Sequence, residues 1–208
     1  NDISFVARGA HLDAIRNDGL KVGSPCGDLC LTNVKATQDP HEIGPVDVIL
    51  FAVKLRDMEL GVELCKPLLK DHTAVIPLLN GVEAPLTIAK KLGAKYACGG
   101  VAYIFTRVSA PGCILHESEF ARMIFGELDG QRSNRLKEFE SICTDSGIET
   151  VFSDSVTVAI WEKFSLLVPL SGITAGARSP IGPIRSEIIG RDVFTAAMEE
   201  VISVGKAR

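Results

Sequence analysis

VDVILFAV, residues 46–53, is an almost uninterrupted apolar run in this 208-residue chain. Only Asp47 is charged, so a strand over these residues is apolar on both of its faces. Strands of this kind occur in parallel sheets that helices cover on both sides. The run therefore predicts an α/β protein with a buried parallel sheet.

The segments on either side of this run alternate between strand and helix patterns. Before it, a strand pattern at 3–8 is followed by a helical pattern near 10–18 and by short strands around 28–36. After it come a helix near 57–69, the strand TAVIPLL at 73–79 and a helix at 82–92. This alternation predicts a doubly wound sheet of the dinucleotide-binding, Rossmann-like type.

The pattern changes in the second half of the chain. From Tyr96 several strand-like stretches follow one another, with a turn at Pro111-Gly112, and they predict an antiparallel extension of the sheet. Beyond Ser153 the strands stop, and helical patterns at 154–175 and 184–206 are separated by a break at 179–183. We therefore predict a sheet domain over residues 1–152 and an all-helical domain over residues 153–208.

The bulk composition excludes several classes of function. The net charge is −4 and the basic residues are scattered, which argues against a nucleic-acid partner. The longest apolar stretches are too short, or too interrupted by charged residues and Pro169, to span a bilayer. The six cysteines lack the spacing of a zinc site, so we expect no metal. These features favour a cytoplasmic protein without membrane or nucleic-acid partners.

The opening stretch NDISFVARGA has the pattern of a second, not a first, Rossmann strand. Such a strand ends at the residue that contacts the adenosine ribose, and the glycine fingerprint lies about 20 residues earlier. We therefore expect the first strand and the glycine loop to be absent from this sequence. The strand ends at Arg8, and a guanidinium there suits the 2′-phosphate of NADP. An exposed charge at a strand end is the other interpretation of Arg8.

Five separate stretches resemble the ketopantoate reductase (2-dehydropantoate 2-reductase) family in their order and spacing. They are FVARGAHLDAIRNDGL, VDVILFAVKLRD, VIPLLNGVEAP, GGVAYIFTRVSAPGCILHES and IWEKFSLLVPLSGITA, and they extend along essentially the whole chain. The resemblance implies an N-terminal Rossmann domain and an all-helical C-terminal domain, with NADPH and a 2-keto acid bound in the cleft between them. It also implies that both ends of the family's chain, including part of the helical domain, are missing here.

The resemblance assigns roles to single residues. Arg8 would contact the 2′-phosphate of NADPH, Lys54 would lie beside the cofactor, and Asn80 would lie near the nicotinamide and the substrate. Lys163 matches the family's catalytic lysine, which stabilises and protonates the alkoxide that forms when hydride reaches a keto carbon. The residues alone also fit simpler interpretations: an exposed helix start for Lys54, a turn for Asn80-Gly81, and a lysine that extends to water for Lys163.

Two positions depart from the family's pattern. In members of the family, asparagines usually lie four and eight residues after the catalytic lysine. These positions share one face of the helix, and the asparagines help to bind the substrate. Here these positions are Leu167 and Ser171. Ser171 is a shorter polar substitute, whereas the side chain of Leu167 cannot form a hydrogen bond. Pro169 also removes one amide donor from the same predicted helix.

The leading hypothesis is NADPH-dependent reduction of a 2-keto acid, foremost 2-dehydropantoate to pantoate in pantothenate biosynthesis. Lys163 would be the general acid, and Asn80 and Ser171 would bind the substrate. Two alternatives stay open: a reductase for a different 2-keto acid, and a non-catalytic nucleotide-binding or interaction protein on the same scaffold. A homodimer is a further possibility that the resemblance allows.

Overall fold

The alternating patterns form an α/β fold in the computed structural model, which describes residues 2–208. The strands are β1 (Ser4–Val6), β2 (Leu20–Gly23), β3 (Leu29–Leu31), β4 (Lys35–Thr37), β5 (Val48–Phe51), β6 (Ala74–Pro77), β7 (Cys98–Tyr103), β8 (Thr106–Ala110), β9 (Cys113–His116), β10 (Arg122–Glu127) and β11 (Glu149–Phe152). The α-helices are α1 (Gly9–Asp18), α2 (Met58–Cys65), α3 (Ala84–Leu92), α4 (Asn134–Asp145), α5 (Val156–Ala177), α6 (Ile181–Ser186) and α7 (Ile188–Ala207).

The predicted buried parallel strands are confirmed. β5 and β6 pair in parallel, with Val48 opposite Ala74, and β6 is buried along its whole length. On one face, Val75 packs with residues of α2 and α3. On the other face, Ile76 packs with residues of β10 and α4. Helices thus cover both faces, which explains why the strands are apolar at successive positions.

The parallel strands lie in more than one hydrogen-bonded group. β1 pairs in parallel with β4, and a single bridge from Val75 to Ala97 connects β6 to the start of β7. Within residues 2–208, no strand pairs with the second edge of β1 or of β5. In a doubly wound sheet a further parallel strand lies between these two edges.

The predicted antiparallel extension is only partly correct. β7 and β10 are antiparallel neighbours, but the hairpin β8–β9 joins β2 in a separate sheet of order β3-β2-β9-β8. The turn at Pro111-Gly112 is confirmed: Gly112 has a φ of 72°, and a Cβ there would lie 3.0 Å from the Cβ of Ala14 in α1. The sequence patterns did not predict β2, which pairs antiparallel with β3 and in parallel with β9.

Strands give way to helices after Phe152, and the division of domains between residues 152 and 153 stays a prediction. α5 continues through Pro169 and ends at Ala177, and the next residue, Arg178, has a left-handed φ of 50°. The first half of α5 packs on the sheet through Val156 and Ile160. Gly99 of β7 permits this approach, because a Cβ there would lie only 2.5 Å from Val156.

The prediction that the apolar stretches are too short or too interrupted to span a bilayer is wrong for α5, which is the one helix within residues 2–208 that is long and apolar enough to cross a membrane by length and composition. Its mean hydropathy over the best window is 1.4. Core helices of soluble proteins can have the same composition, but only 28% of this window is buried, in a helix that contacts β7, β10 and α7.

Candidate active site

A small pocket lies where the loop after β6, the middle of β7 and one face of α5 meet. Its lining consists of Leu79, Asn80, Gly81, Gly100, Val101, Ile160, Lys163, Phe164 and Leu167. Of these described residues, only Asn80 and Lys163 have polar side chains. The pocket therefore combines one ammonium and one amide with apolar walls.

Lys163 is held against the sheet by two hydrogen bonds. Its Nζ donates to Oδ1 of Asn80 at 3.0 Å and to the carbonyl oxygen of Ala102 at 2.7 Å. An ammonium has three N–H donors, so one donor has no partner within residues 2–208. Nζ also lies 5.6 Å from the centre of the Tyr103 ring. Burial lowers the pKa of Lys163 because the charged form loses hydration.

Glycines bring the three elements close enough for these contacts. A Cβ on Gly100 would lie 2.4 Å from the carbonyl oxygen of Pro77, so β7 can approach the end of β6 only without a side chain here. Gly81 follows Asn80 with a φ of 111°, a conformation that glycine adopts readily. The loop after β6 thus turns sharply and presents Asn80 to α5.

Arg8 and Lys54 lie at the ends of other parallel strands. Arg8 is the residue before α1, two positions after β1, and Lys54 precedes a short helical turn at Leu55–Asp57 that follows β5. The Nη2 atom of Arg8 lies 3.3 Å from Oδ1 of Asp57, which joins the two strand ends. Asn80 follows β6, so all three residues occupy the carboxyl edge, where ligands bind in open α/β sheets.

Of the two residues predicted to bind the substrate, Asn80 lines the pocket and Ser171 does not. Leu167 lines the pocket one helical turn after Lys163. Ser171 lies a further turn along, is exposed, and does not belong to the pocket lining. The role of Ser171 in substrate binding stays a prediction.

Sequence reasoning missed two groups that surround Lys163. One is the carbonyl of Ala102, which has no sequence signal because every residue has a carbonyl. The other is Tyr103, at the end of β7, whose pKa is raised by burial and by the nearby charge of Glu162.

The described residues do not assemble a metal site. Within residues 2–208, no group of three or more His, Cys, Asp or Glu side chains is placed to hold a metal ion. The six cysteines are all free thiols, and Cys26 and Cys30 are exposed.

Comparison with known proteins identifies the family. The family model described as Ketopantoate reductase PanE/ApbA matches residues 1–130. This chain belongs to the ketopantoate reductase family. Members of the family are oxidoreductases that act on CH–OH groups and reduce 2-keto acids. The resemblance inferred from the five sequence stretches is thereby confirmed.

Three relatives illustrate the match. The 2-dehydropantoate 2-reductase of Mesorhizobium japonicum is 29% identical over 226 residues, which cover 99% of this chain and 69% of the relative. The crystal structure of 2-dehydropantoate 2-reductase from Porphyromonas gingivalis is 33% identical with a TM-score of 0.88, over 95% of this chain and 69% of that one. The one from Geobacter metallireducens is 31% identical with a TM-score of 0.91, over 99% and 67%.

These structures confirm the predicted fold class, a Rossmann-like sheet followed by helices. The chain spans about two thirds of the length of these ketopantoate reductases. D-mandelate dehydrogenase, solved with NADH and anilino(oxo)acetate, is 18% identical with a TM-score of 0.80. At that identity the likeness to D-mandelate dehydrogenase shows the fold alone.

Proposed function

We propose that this chain carries the reducing centre of an NADPH-dependent 2-keto acid reductase, with Lys163 as the general acid. The contact between Lys163 and Asn80 carries the proposal, because it places a partly desolvated ammonium and an amide together at the carboxyl edge of a parallel sheet. Family membership supports the same chemistry. The proposed cellular location is the cytoplasm, where pantothenate biosynthesis would use this activity.

The reaction requires a group that stabilises a developing alkoxide. When bound, NADPH would supply the hydride for reduction at C2 of the keto acid. Lys163 donates its third N–H to the carbonyl oxygen, stabilises the negative charge there and transfers the proton. Asn80 and Ala102 hold Nζ on its other sides, so the remaining donor has a restricted direction. The lowered pKa of Lys163 makes the ammonium a stronger acid.

The residues at the sheet edge fit a nicotinamide dinucleotide phosphate in their chemistry. The guanidinium of Arg8 can pair with a 2′-phosphate, and the ammonium of Lys54 adds positive charge at the end of β5. Beside Arg8, a Cβ built on Gly9 meets no atom within 4 Å, so the start of α1 is open to a ligand. These three positions support NADPH as the cofactor of the proposal.

The test of the proposed function combines binding with turnover. NADPH binding is followed by cofactor fluorescence, and NADPH oxidation is measured with a panel of 2-keto acids that includes 2-dehydropantoate. We expect saturable binding and oxidation that depends on one or more of the keto acids. Binding without oxidation by any member of the panel would support the non-catalytic alternative and overturn the reductase.

Leu167 is expected to influence which 2-keto acid is preferred. It lies in the apolar wall beside Lys163, and a substrate hydroxyl buried against this wall finds no partner there. For the Leu167→Asn variant, the ratio of kcat/KM for 2-dehydropantoate, which carries a hydroxyl, to that for 4-methyl-2-oxopentanoate, which does not, should rise by about tenfold or more. The matched control is Leu166→Asn on the same helix, where the leucine is 46% exposed. Equal ratios in the two variants would remove Leu167 from the substrate site.

Arg8 is expected to distinguish NADPH from NADH. The Arg8→Ala variant loses a guanidinium that pairs with the 2′-phosphate, so the Kd for NADPH should rise by about tenfold while that for NADH changes little. The control is Arg107→Ala, which removes an exposed arginine on β8 that pairs with Glu117. Titration of both dinucleotides by fluorescence measures the effect, and an unchanged preference would exclude Arg8 from the cofactor site.

A further inference from the structure

Asp57 lies between two arginines at the carboxyl edge of the sheet. Its Oδ1 is 3.3 Å from Nη2 of Arg8, and its Oδ2 is 3.7 Å from Nε of Arg56. The arginines belong to different elements, since Arg8 precedes α1 and Arg56 lies in the helical turn after β5. Two guanidinium groups therefore converge on the two oxygens of one carboxylate.

The exposure of these side chains leaves the arginines free to meet a ligand. The side chains of Arg8 and Arg56 are 70% and 83% exposed, whereas that of Asp57 is 30% exposed. An anion that displaced the carboxylate would meet both guanidinium groups without any change in the packing of the core. The two guanidinium groups could therefore bind a small anionic group in place of the carboxylate.

We propose that Arg56 is a second arm of the cofactor's 2′-phosphate site, and that Asp57 occupies this site with its own carboxylate in the absence of phosphate. The inference rests on the proposed function, because it takes NADPH to be the cofactor. A phosphate monoester has a charge close to −2 near neutral pH and three acceptor oxygens, whereas a carboxylate has a charge of −1 and two oxygens. Phosphate can therefore replace Asp57 between two guanidinium groups.

The surrounding charges favour an anion here. Lys54 lies two residues before Arg56, so three cationic side chains and one carboxylate leave a net charge of +2 at this edge. Glu59, the next acidic residue along the chain, pairs with Lys91. Asp57 is therefore the carboxylate that competes with an incoming phosphate.

Arg56 and Asp57 should act in opposite directions on phosphate binding. Removal of Arg56 takes away one donor group, whereas neutralisation of Asp57 takes away both a competing anion and its repulsion of the bound phosphate. A carboxylate at this edge can also accept a hydrogen bond from the ribose 2′-hydroxyl of a cofactor without the phosphate. Asp57 should thus reduce the preference for the phosphorylated form.

The experiment titrates the protein with adenosine 2′,5′-bisphosphate and with ADP, which lacks the 2′-phosphate, by isothermal calorimetry at low and physiological salt. We expect Arg56→Ala to raise the Kd of the bisphosphate by about fivefold, a magnitude suited to an exposed charge. The Kd of ADP should stay almost unchanged. Asp57→Asn should strengthen the bisphosphate by about threefold. The control Arg107→Ala, whose arginine pairs with Glu117 elsewhere on the surface, should change neither ligand.

Each outcome decides between the inference and the function on which it rests. If Arg56→Ala lowers the affinity for both ligands equally, or for neither, the assignment of Arg56 to the 2′-phosphate site is wrong, while the proposal of NADPH binding is unaffected. If the unaltered protein binds both ligands equally well, the proposal that it prefers NADPH to NADH is wrong, and so is the assignment of Arg56 to a 2′-phosphate site. If it binds neither ligand, the proposed cofactor site fails, and the assignment of Arg56 fails with it. Thermal melting of each variant verifies that these exposed substitutions leave the fold intact.

Discussion

Replacement of Lys163 by methionine is expected to lower kcat for 2-keto acid reduction by about 10²–10⁴-fold. The ammonium stabilises charge that develops on the substrate oxygen only in the transition state, so kcat falls while binding of NADPH changes little. Steady-state kinetics with the preferred keto acid measures the first effect, and fluorescence titration of NADPH measures the second.

The pH dependence identifies Lys163 as the acid. A neutral amine cannot donate the proton, so kcat of the unaltered protein should fall as pH rises through the pKa of Lys163, which burial places below its ordinary value of 10.5. Lys163→Met should lose this decline, whereas Lys137→Met, an exposed lysine on α4, should keep it. An unchanged kcat in Lys163→Met would contradict the assignment.

The melting temperature of Lys163→Met shows whether Lys163 also contributes to the stability of the fold. Because the folded state disfavours the charged form of Lys163, the cost of burying the ammonium is present in full below its folded pKa and declines as pH rises above it. Methionine removes this cost while filling a similar volume, but it also removes the hydrogen bonds to Asn80 and Ala102, so the melting temperature of Lys163→Met at neutral pH should change little. A large loss of stability would indicate that Lys163 has a structural role.

Replacement of Arg135 by methionine is expected to lower the free energy of unfolding by about 3–5 kcal/mol. Arg135 of α4 forms two parallel hydrogen bonds to Glu127 of β10, from Nε to Oε1 at 2.8 Å and from Nη2 to Oε2 at 2.7 Å. Its Nη1 donates to the carbonyls of Thr73 and Lys95. The two charged side chains are only 17% and 11% exposed, so the variant leaves a nearly buried carboxylate without its partner. Urea denaturation measures the loss.

A double variant tests whether the buried charge causes this loss. Arg135→Met combined with Glu127→Leu removes both charges, so it should regain part of the lost stability. The recovery should be incomplete because the carbonyls of Thr73 and Lys95 still lack the donor they had. If the double variant were less stable than Arg135→Met alone, the buried carboxylate would not be the cause.

Acid should reduce the difference between the unaltered protein and Arg135→Met. Burial raises the pKa of Glu127, but the hydrogen bonds from Arg135 and Ser133 and the charge of Arg135 outweigh it, and the pKa is lowered overall. The stabilisation is therefore present above the unfolded pKa of the carboxyl group and is lost as pH falls through the lower folded pKa. A difference that stayed constant on acidification would contradict this account.

The fold class follows from local patterns in the sequence. The apolar runs that become β5 and β6 could only be satisfied by a parallel sheet with helices on both faces, and the structure has this arrangement. The family followed from five stretches in order, which also marked Arg8, Lys54, Asn80 and Lys163. These features are readable because burial and turn chemistry leave a period or a residue type within a few positions.

The contacts within the site arise from packing between distant segments. Lys163 and Asn80 are 83 residues apart, and they meet because Gly99 lets α5 approach β7 and Gly100 lets β7 approach β6. The same packing supplies the carbonyl of Ala102, joins Asp57 to Arg8, and leaves Ser171 outside the pocket. The sequence thus specified most of the strands and helices and the chemical groups, but not β2 or the sheet that it forms with β8 and β9. Their distances and partners depended on non-local packing, which no local pattern of residues encodes.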